Sequence, residues 1–248
     1  MKEAKDLFSK QAGSYAAFRP TYPEELFDFL FSITKQYHRA WDCATGNGQV
    51  ASVLATRFDK VQASDISEQQ MAHATKKDNI FYSKQRAEHT NFANDSFDLV
   101  TVGTAIHWFD FDNFYREVKR VGRQGAPIAA WSYGLFRSDN EIENTIDDFA
   151  FGTVGKYWQP ERHYIEEQYK TIPFPFEEIP VPSLSIKEVW TYERMIGYVG
   201  SWSSVQDYIA QNGTDPIPIL EERIKQVWAP GESRELNIPL FMRAGIIK

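Results

Sequence analysis

The densest group of chemically useful residues is the run Ala40-Trp41-Asp42-Cys43-Ala44-Thr45-Gly46-Asn47-Gly48-Gln49, where an apolar stretch ends in an aspartate and enters a turn of small residues. Small residues at 44, 46 and 48 let a ligand approach the backbone, and a helix starting near Gly48 would aim free N–H groups at that ligand. The same run also reads as a tight strand-to-helix turn with no ligand. Asp65 closes the next apolar stretch. Its separation from the turn is that at which an acidic group receives ribose hydroxyls in nucleotide-binding α/β folds. A later stretch runs out at Gly103-Thr104-Ala105-Ile106-His107-Trp108-Phe109. There His107 could serve as a base for a hydroxyl nucleophile, hydrogen-bond a substrate carboxylate, or simply pack. His38, His73, His89 and His163 have no partner pattern. Cys43 is the single cysteine, so an internal disulfide is excluded, and no Cys-x-x-Cys or His-Glu-x-x-His spacing points to a metal.

Elements of two kinds must position these residues. Strand-length apolar runs over Ala40–Ala44, Lys60–Asp65, Ile80–Lys84, Phe97–Gly103 and Ala126–Tyr133 alternate with helical spacing over Gly48–Phe58, Glu68–Lys76 and Phe111–Arg120. That alternation predicts an α/β fold with a doubly wound, mostly parallel sheet, which delivers the ends of its strands to one crevice. Ser67, Asp110 and Asn113 are expected as caps or first-turn residues. Lys2–Gln11 and Pro23–Lys35 read as leading helices joined by Gly13–Tyr22, whose Arg19-Pro20-Thr21-Tyr22-Pro23 stops regular structure. The second half is less regular and rich in aromatics. Pro173, Pro175, Pro180 and Pro182 mark an extended connection, Leu184–Trp190 alternates like a strand, and Val205–Gln211 and Ile219–Trp228 look helical. Glu235–Ile247 is expected as a closing strand pair or one long strand.

No repeat or low-complexity linker divides these pieces, so 1–248 is read as one domain: a leading helical lid over 1–36, a ligand-binding core over 37–135, an insertion over 136–200, and closing helices and strands over 201–248. At 248 residues and 42% hydrophobic the chain can bury a sizeable core. Its net charge of −7 and pI near 5.3 provide no field to collect phosphate backbone, so nucleic acid is not an expected partner. Met1–Asp6 lacks a signal-peptide apolar stretch and Leu26–Ile33 is too short to span a bilayer. A cytoplasmic protein without membrane partners, monomeric or weakly dimeric, is the expectation.

Seven segments together carry a resemblance that spans nearly the whole chain: Phe8–Tyr15, Arg19–Pro23, Asp42–Gly48, Asp65-Ile66-Ser67, Asn94–Val100, His107-Trp108-Phe109 and Ile196–Ser204. The sequence resembles the class I S-adenosylmethionine-dependent methyltransferases, particularly the small-molecule group (methyltransferase type 11) that includes trans-aconitate methyltransferase-like proteins. The resemblance implies a seven-stranded Rossmann-like sheet, S-adenosyl-L-methionine as cofactor, S-adenosyl-L-homocysteine as product and a small-molecule methyl acceptor. It further implies that Asp42 and the backbone from Ala44 through Gly46 to Gly48 surround the methionine end, and that Asp65 accepts both ribose hydroxyls. Ile66 and Met71 would flank adenine, with Ala87 and Glu88 at its edge and Thr104 nearby. Ile66 and Met71 read equally as core, and Glu88 as a solvated loop charge. The family usually has glycine where Ala44 stands, so altered contact with the methionine part is expected there. Tyr15, Arg19 and Tyr22 from the leading segment, with Trp108, Tyr198 and Trp202, are expected to form an aromatic roof or acceptor-binding wall; core packing is the alternative for each aromatic.

The leading expectation is methylation of a carboxylate oxygen, which needs no base. Hydroxyl or nitrogen methylation would make His107 the catalytic base, and a binding protein without catalysis would keep only the cofactor pocket. A nicotinamide-dependent dehydrogenase is disfavoured, because Ala51 occupies the last glycine position of its Gly-x-Gly-x-x-Gly turn.

Overall fold

A computed structural model describes residues 18–248; the helix expected over Lys2–Gln11, the start of the connecting segment and Tyr15 lie outside the described residues. The first half is a run of alternating elements: α1 (Glu24–Ile33), β1 (Arg39–Cys43), α2 (Gln49–Leu54), β2 (Lys60–Asp65), α3 (Glu68–Ala72), β3 (Ile80–Lys84), β4 (Leu99–Gly103), α4 (Phe111–Val121) and β5 (Pro127–Tyr133). These match the expected spans closely, except that α2 and α3 stop several residues early. Ala74, beyond the end of α3, is buried beside Gly48.

The five strands pair in parallel in the order β3-β2-β1-β4-β5. A parallel strand covered on both faces by helices needs apolar residues on both. β5 is accordingly buried at every position, and β1 at every position after Arg39. Successive side chains point to opposite faces. Ala129, Trp131 and Tyr133 of β5 therefore join the core containing Leu26, Leu30 and Leu54. Ile128 and Ala130 join the opposite core with Trp41 and Phe114. α4 supplies that second face through Phe114, Val118 and Val121, one stripe at helical spacing, and starts where the Asp110 side chain accepts from the Asn113 N–H. Truncating Phe114 to Ala would cost about 3–5 kcal/mol.

The second half adds α5 (Asn140–Asp147), a stretch of short irregular helical turns, α6 (His163–Glu166), β6 (Glu177–Glu178), β7 (Leu184–Thr191), α7 (Tyr192–Gly200), α8 (Ser203–Asn212), α9 (Ile217–Ile224) and β8 (Ser233–Ile246). Of the two expected closures, the single long strand forms. One edge of β8 pairs antiparallel with β5, and the other edge is shared: β7 takes Ser233 to Leu240, while the two residues of β6 take Gly245 and Ile246. That division gives eight strands among the described residues, where seven were expected. Among the described residues no helix is long and apolar enough to cross a membrane.

Candidate functional site

Two adjoining cavities lie beyond the carboxyl ends of the strands. The larger, about 1320 Å³ with its mouth included, is bounded by Asp42, Ala44, Gly46, Asp65, Glu88 and Thr104 among others. Asp42 builds the turn at its floor. One carboxylate oxygen accepts from the Thr45 hydroxyl and, at 3.1 Å, from the Ala51 N–H, and the other accepts from the Thr101 hydroxyl at 3.0 Å. Asp42 thus ties β1 to β4 and to the first turn of α2. One N–H that the sequence reading aimed at a ligand is taken up by Asp42 instead. Burial pushes the Asp42 carboxyl up to about 6; the hydrogen bonds from Thr45, Thr101 and Ala51 oppose that rise, and the nearby Asp65 adds to it.

Ala44 has φ 55, the left-handed region where a Cβ is strained, and this is the position at which glycine is usual in the family the sequence resembles. Gly46 follows in the same region, and its N–H donates to Asp65 Oδ2 at 2.8 Å. The Ser67 N–H donates to Asp65 Oδ1 at 2.8 Å. These two backbone bonds orient a buried carboxylate that has about four acceptor positions. The acidic strand end thereby sits against the glycine turn. Ile66, Ala87 and Glu88 line the same cavity. Glu88 is not a solvated charge: its side chain is 7% exposed, paired with Arg86 and accepting from the Asp110 N–H.

Two expected cofactor residues lie elsewhere. Gly48 does not line the cavity. It is needed because its φ is 77 and a Cβ there would come within 2.3 Å of the Tyr82 hydroxyl. Met71, in α3, is buried and is absent from the lining, where Gln70 stands instead. Gly48 faces Tyr82 of β3 and Ala74, a side that spacing alone could not distinguish from the ligand side.

The smaller cavity, about 630 Å³ with its mouth included, shares Arg19, Thr104, Trp108 and Tyr133 with the larger one. Thr104 has φ 53, unusual for a β-branched residue. Its N–H donates to the Trp131 carbonyl at 2.7 Å. Arg19 donates to the Tyr133 hydroxyl at 3.2 Å and lies over the Tyr198 ring at 5.5 Å. Tyr198 and Trp202 are buried yet line this cavity, so they serve both core and wall. Tyr22 lines the larger cavity only. His107 lines the smaller cavity, is 3% exposed, and has Nδ1 2.8 Å from the Tyr169 hydroxyl.

Sequence reasoning missed Tyr133, Trp158 and Arg162, all in the smaller cavity. Tyr133 closes an expected strand, so its place at the strand's carboxyl end was available as a signal. Trp158 and Arg162 come from the irregular turns before α6, where no periodicity marks a facing side. Among the described residues no cluster of His, Cys, Asp and Glu suits a metal ion.

Comparison with known proteins agrees with this geometry. Residues 41–130 match a family model described as a methyltransferase domain. A Dictyostelium discoideum protein named as a methyltransferase is 34% identical over 245 residues, covering 96% of this chain and 93% of its own. The structure of a protein from Anaeromyxobacter dehalogenans, described as a type II methyltransferase, superimposes with a TM-score of 0.86 at 37% identity, covering 93% of this chain and 99% of that one. A phosphoethanolamine N-methyltransferase of Haemonchus contortus, solved with S-adenosyl-L-methionine, shares the fold at TM-score 0.51 and 16% identity, covering 96% of this chain and 57% of that one. The chain is a member of the class I S-adenosylmethionine-dependent methyltransferase family.

Proposed function

We propose that the protein methylates a carboxylate oxygen of a small organic acid. The observation that carries this reading is the smaller cavity: it shares Arg19, Thr104, Trp108 and Tyr133 with the larger one, and among the described residues its lining holds two arginines and no carboxylate. In a chain of net charge −7 that local balance favours an anion. When bound, S-adenosylmethionine would supply a methyl on a sulfonium, and its transfer to the acceptor oxygen would leave the carbon–sulfur electron pair on sulfur.

The chain's own work is to bind, align and exclude water. Asp65 would hold the ribose hydroxyls, the Ala44–Gly46 backbone would surround the methionine part, and Ile66, Ala87 and Glu88 would border adenine. Arg19, at the boundary of the two cavities, would grip the acceptor carboxylate with two parallel N–H bonds. A carboxylate is already ionised near neutral pH, so no base is needed. His107 then orients the acceptor through a hydrogen bond. A second reading, methylation of a hydroxyl or amine with His107 as base, is favoured by one contact, the Tyr169 hydroxyl at Nδ1, which would fix the ring.

Incubation with methyl-labelled cofactor and a panel of small acids, phenols and amines, followed by mass spectrometry, separates these readings. Alkali-labile methyl esters are expected. Label found only on phenols or amines would sink the carboxylate reading, and cofactor binding with no transfer to any class would indicate a binding protein.

A further inference from the structure

We infer that Arg162 holds a second anionic group of the acceptor, so that the acceptor is a small ring-bearing diacid methylated on one of its two carboxylates. This deepens the carboxylate reading above and rests on it. Arg162 lines the smaller cavity and not the larger, whereas Arg19 lines both. Of the two guanidinium groups, Arg19 is therefore the one beside the methyl donor's cavity and Arg162 the one set apart from it.

The Arg162 side chain is only 16% exposed, and its guanidinium lies 4.3 Å from the centre of the Trp158 ring. Its ion pair with Glu166 is long, at 3.7 Å, and Glu166 is itself 47% exposed. Among the described residues, the buried Arg162 Nε has no hydrogen-bond partner. A buried, planar, five-donor cation so poorly satisfied by the described residues is suited to an anion arriving from the cavity. Burial weakens its charged form, and the neighbouring Arg19 cation pushes the same way. An anion between the two would relieve both effects.

Two carboxylates, not one, follow from the chemistry of the nucleophile. Hydrogen bonds to a carboxylate stabilise its charge and lower its basicity. A single carboxylate gripped by both guanidinium groups would be a poor nucleophile. One clamp at Arg19 positions the reacting oxygen, which leaves Arg162 for a group that does not react. Between them, Trp108, Tyr133, Trp158, Tyr198 and Trp202 line the walls. Aromatic side chains at that density suit a flat ring, whose faces and edges they can meet.

The test is titration calorimetry on the full chain loaded with S-adenosylhomocysteine, using the three benzenedicarboxylates, their monomethyl esters and benzoate as probes. For at least one isomer the diacid should bind about tenfold or more tightly than its monoester and than benzoate. Arg162→Gln should erase that preference while changing affinity for S-adenosylhomocysteine by less than about twofold. Arg162→Lys, which keeps the charge without the fork, should retain part of the preference, and thermal unfolding of each variant reports whether it is folded. If no diacid is preferred over its monoester, or if the preference survives in folded Arg162→Gln, the inference falls. The carboxylate reading fails separately, through the absence of ester in the product; an Arg162-dependent diacid preference would outlast that result.

Discussion

The Tyr22 hydroxyl lies 2.9 Å from Thr104 Oγ1, so the segment leading into α1 is tied to the strained turn that ends β4. Tyr22 also meets the Trp131 ring edge-on at 5.6 Å, and its backbone N–H donates to the Gln49 side chain. Thr104 stands on the boundary of the two cavities, so this hydrogen bond helps to hold a non-glycine residue at φ 53 where donor and acceptor would meet. Tyr22→Phe keeps the ring contact and removes the hydroxyl. It should cost about 1 kcal/mol in urea unfolding, and a neutral result would mean that the bond does not contribute in solution.

Asp65 is oriented by Gly46 and Ser67 toward the larger cavity. Asp65→Ala should weaken S-adenosylmethionine and S-adenosylhomocysteine binding by about tenfold or more, because each charge-assisted ribose bond is worth about 1.5–3 kcal/mol. Calorimetry on folded protein decides this; unchanged affinity would remove Asp65 from the site.

Asp42 makes stability depend on pH. Burial, the largest cause, raises its folded pKa from 3.8 to about 6, so between those values the folded chain holds a proton that the unfolded chain has lost. The resulting stabilisation is complete below about pH 4 and disappears as pH rises through 6, a swing of about 2–3 kcal/mol. Asp42→Asn cannot ionise. Its stability relative to the unmodified chain should therefore rise by about that amount from pH 4 to pH 7.5 in parallel urea titrations, and a pH-independent difference would refute the assignment.

Ala44 at φ 55 holds a Cβ in left-handed backbone, which costs about 1–2 kcal/mol relative to right-handed residues. Part of the gain on replacing it returns as glycine's greater entropy in the unfolded chain. Ala44→Gly should stabilise the protein by up to about 1 kcal/mol in chemical denaturation, and a loss of stability would show that the methyl packs favourably.

Arg19 donates to Tyr133 and lines both cavities. Lysine at this position keeps the charge but cannot make two parallel bonds to one carboxylate. Arg19→Lys should raise the acceptor KM about tenfold while leaving cofactor affinity nearly intact. A fall in cofactor affinity instead would assign Arg19 to the cofactor.

Much of this protein follows from local pattern. β4 and β5 are near-continuous apolar runs because they are covered on both faces, and three of the five parallel strands end at or near a residue whose type already marks it: Asp42, Asp65 and Thr104. The glycine turn and the acidic strand end are readable because backbone conformation and ribose recognition impose fixed spacings on neighbouring elements. Tertiary structure alone decided which side of that turn each residue faces. Gly48 and Met71 carry the same pattern as Gly46 and Ile66, yet Gly48 packs against Tyr82 and Ala74, and Met71 is buried away from the cavity lining. It also decided the acceptor cavity. Arg19, His107, Arg162 and Tyr198 meet there from four distant parts of the chain. Such convergence depends on how irregular segments close over the sheet, and no periodicity in the sequence records it, because side chains on irregular turns have no repeating face.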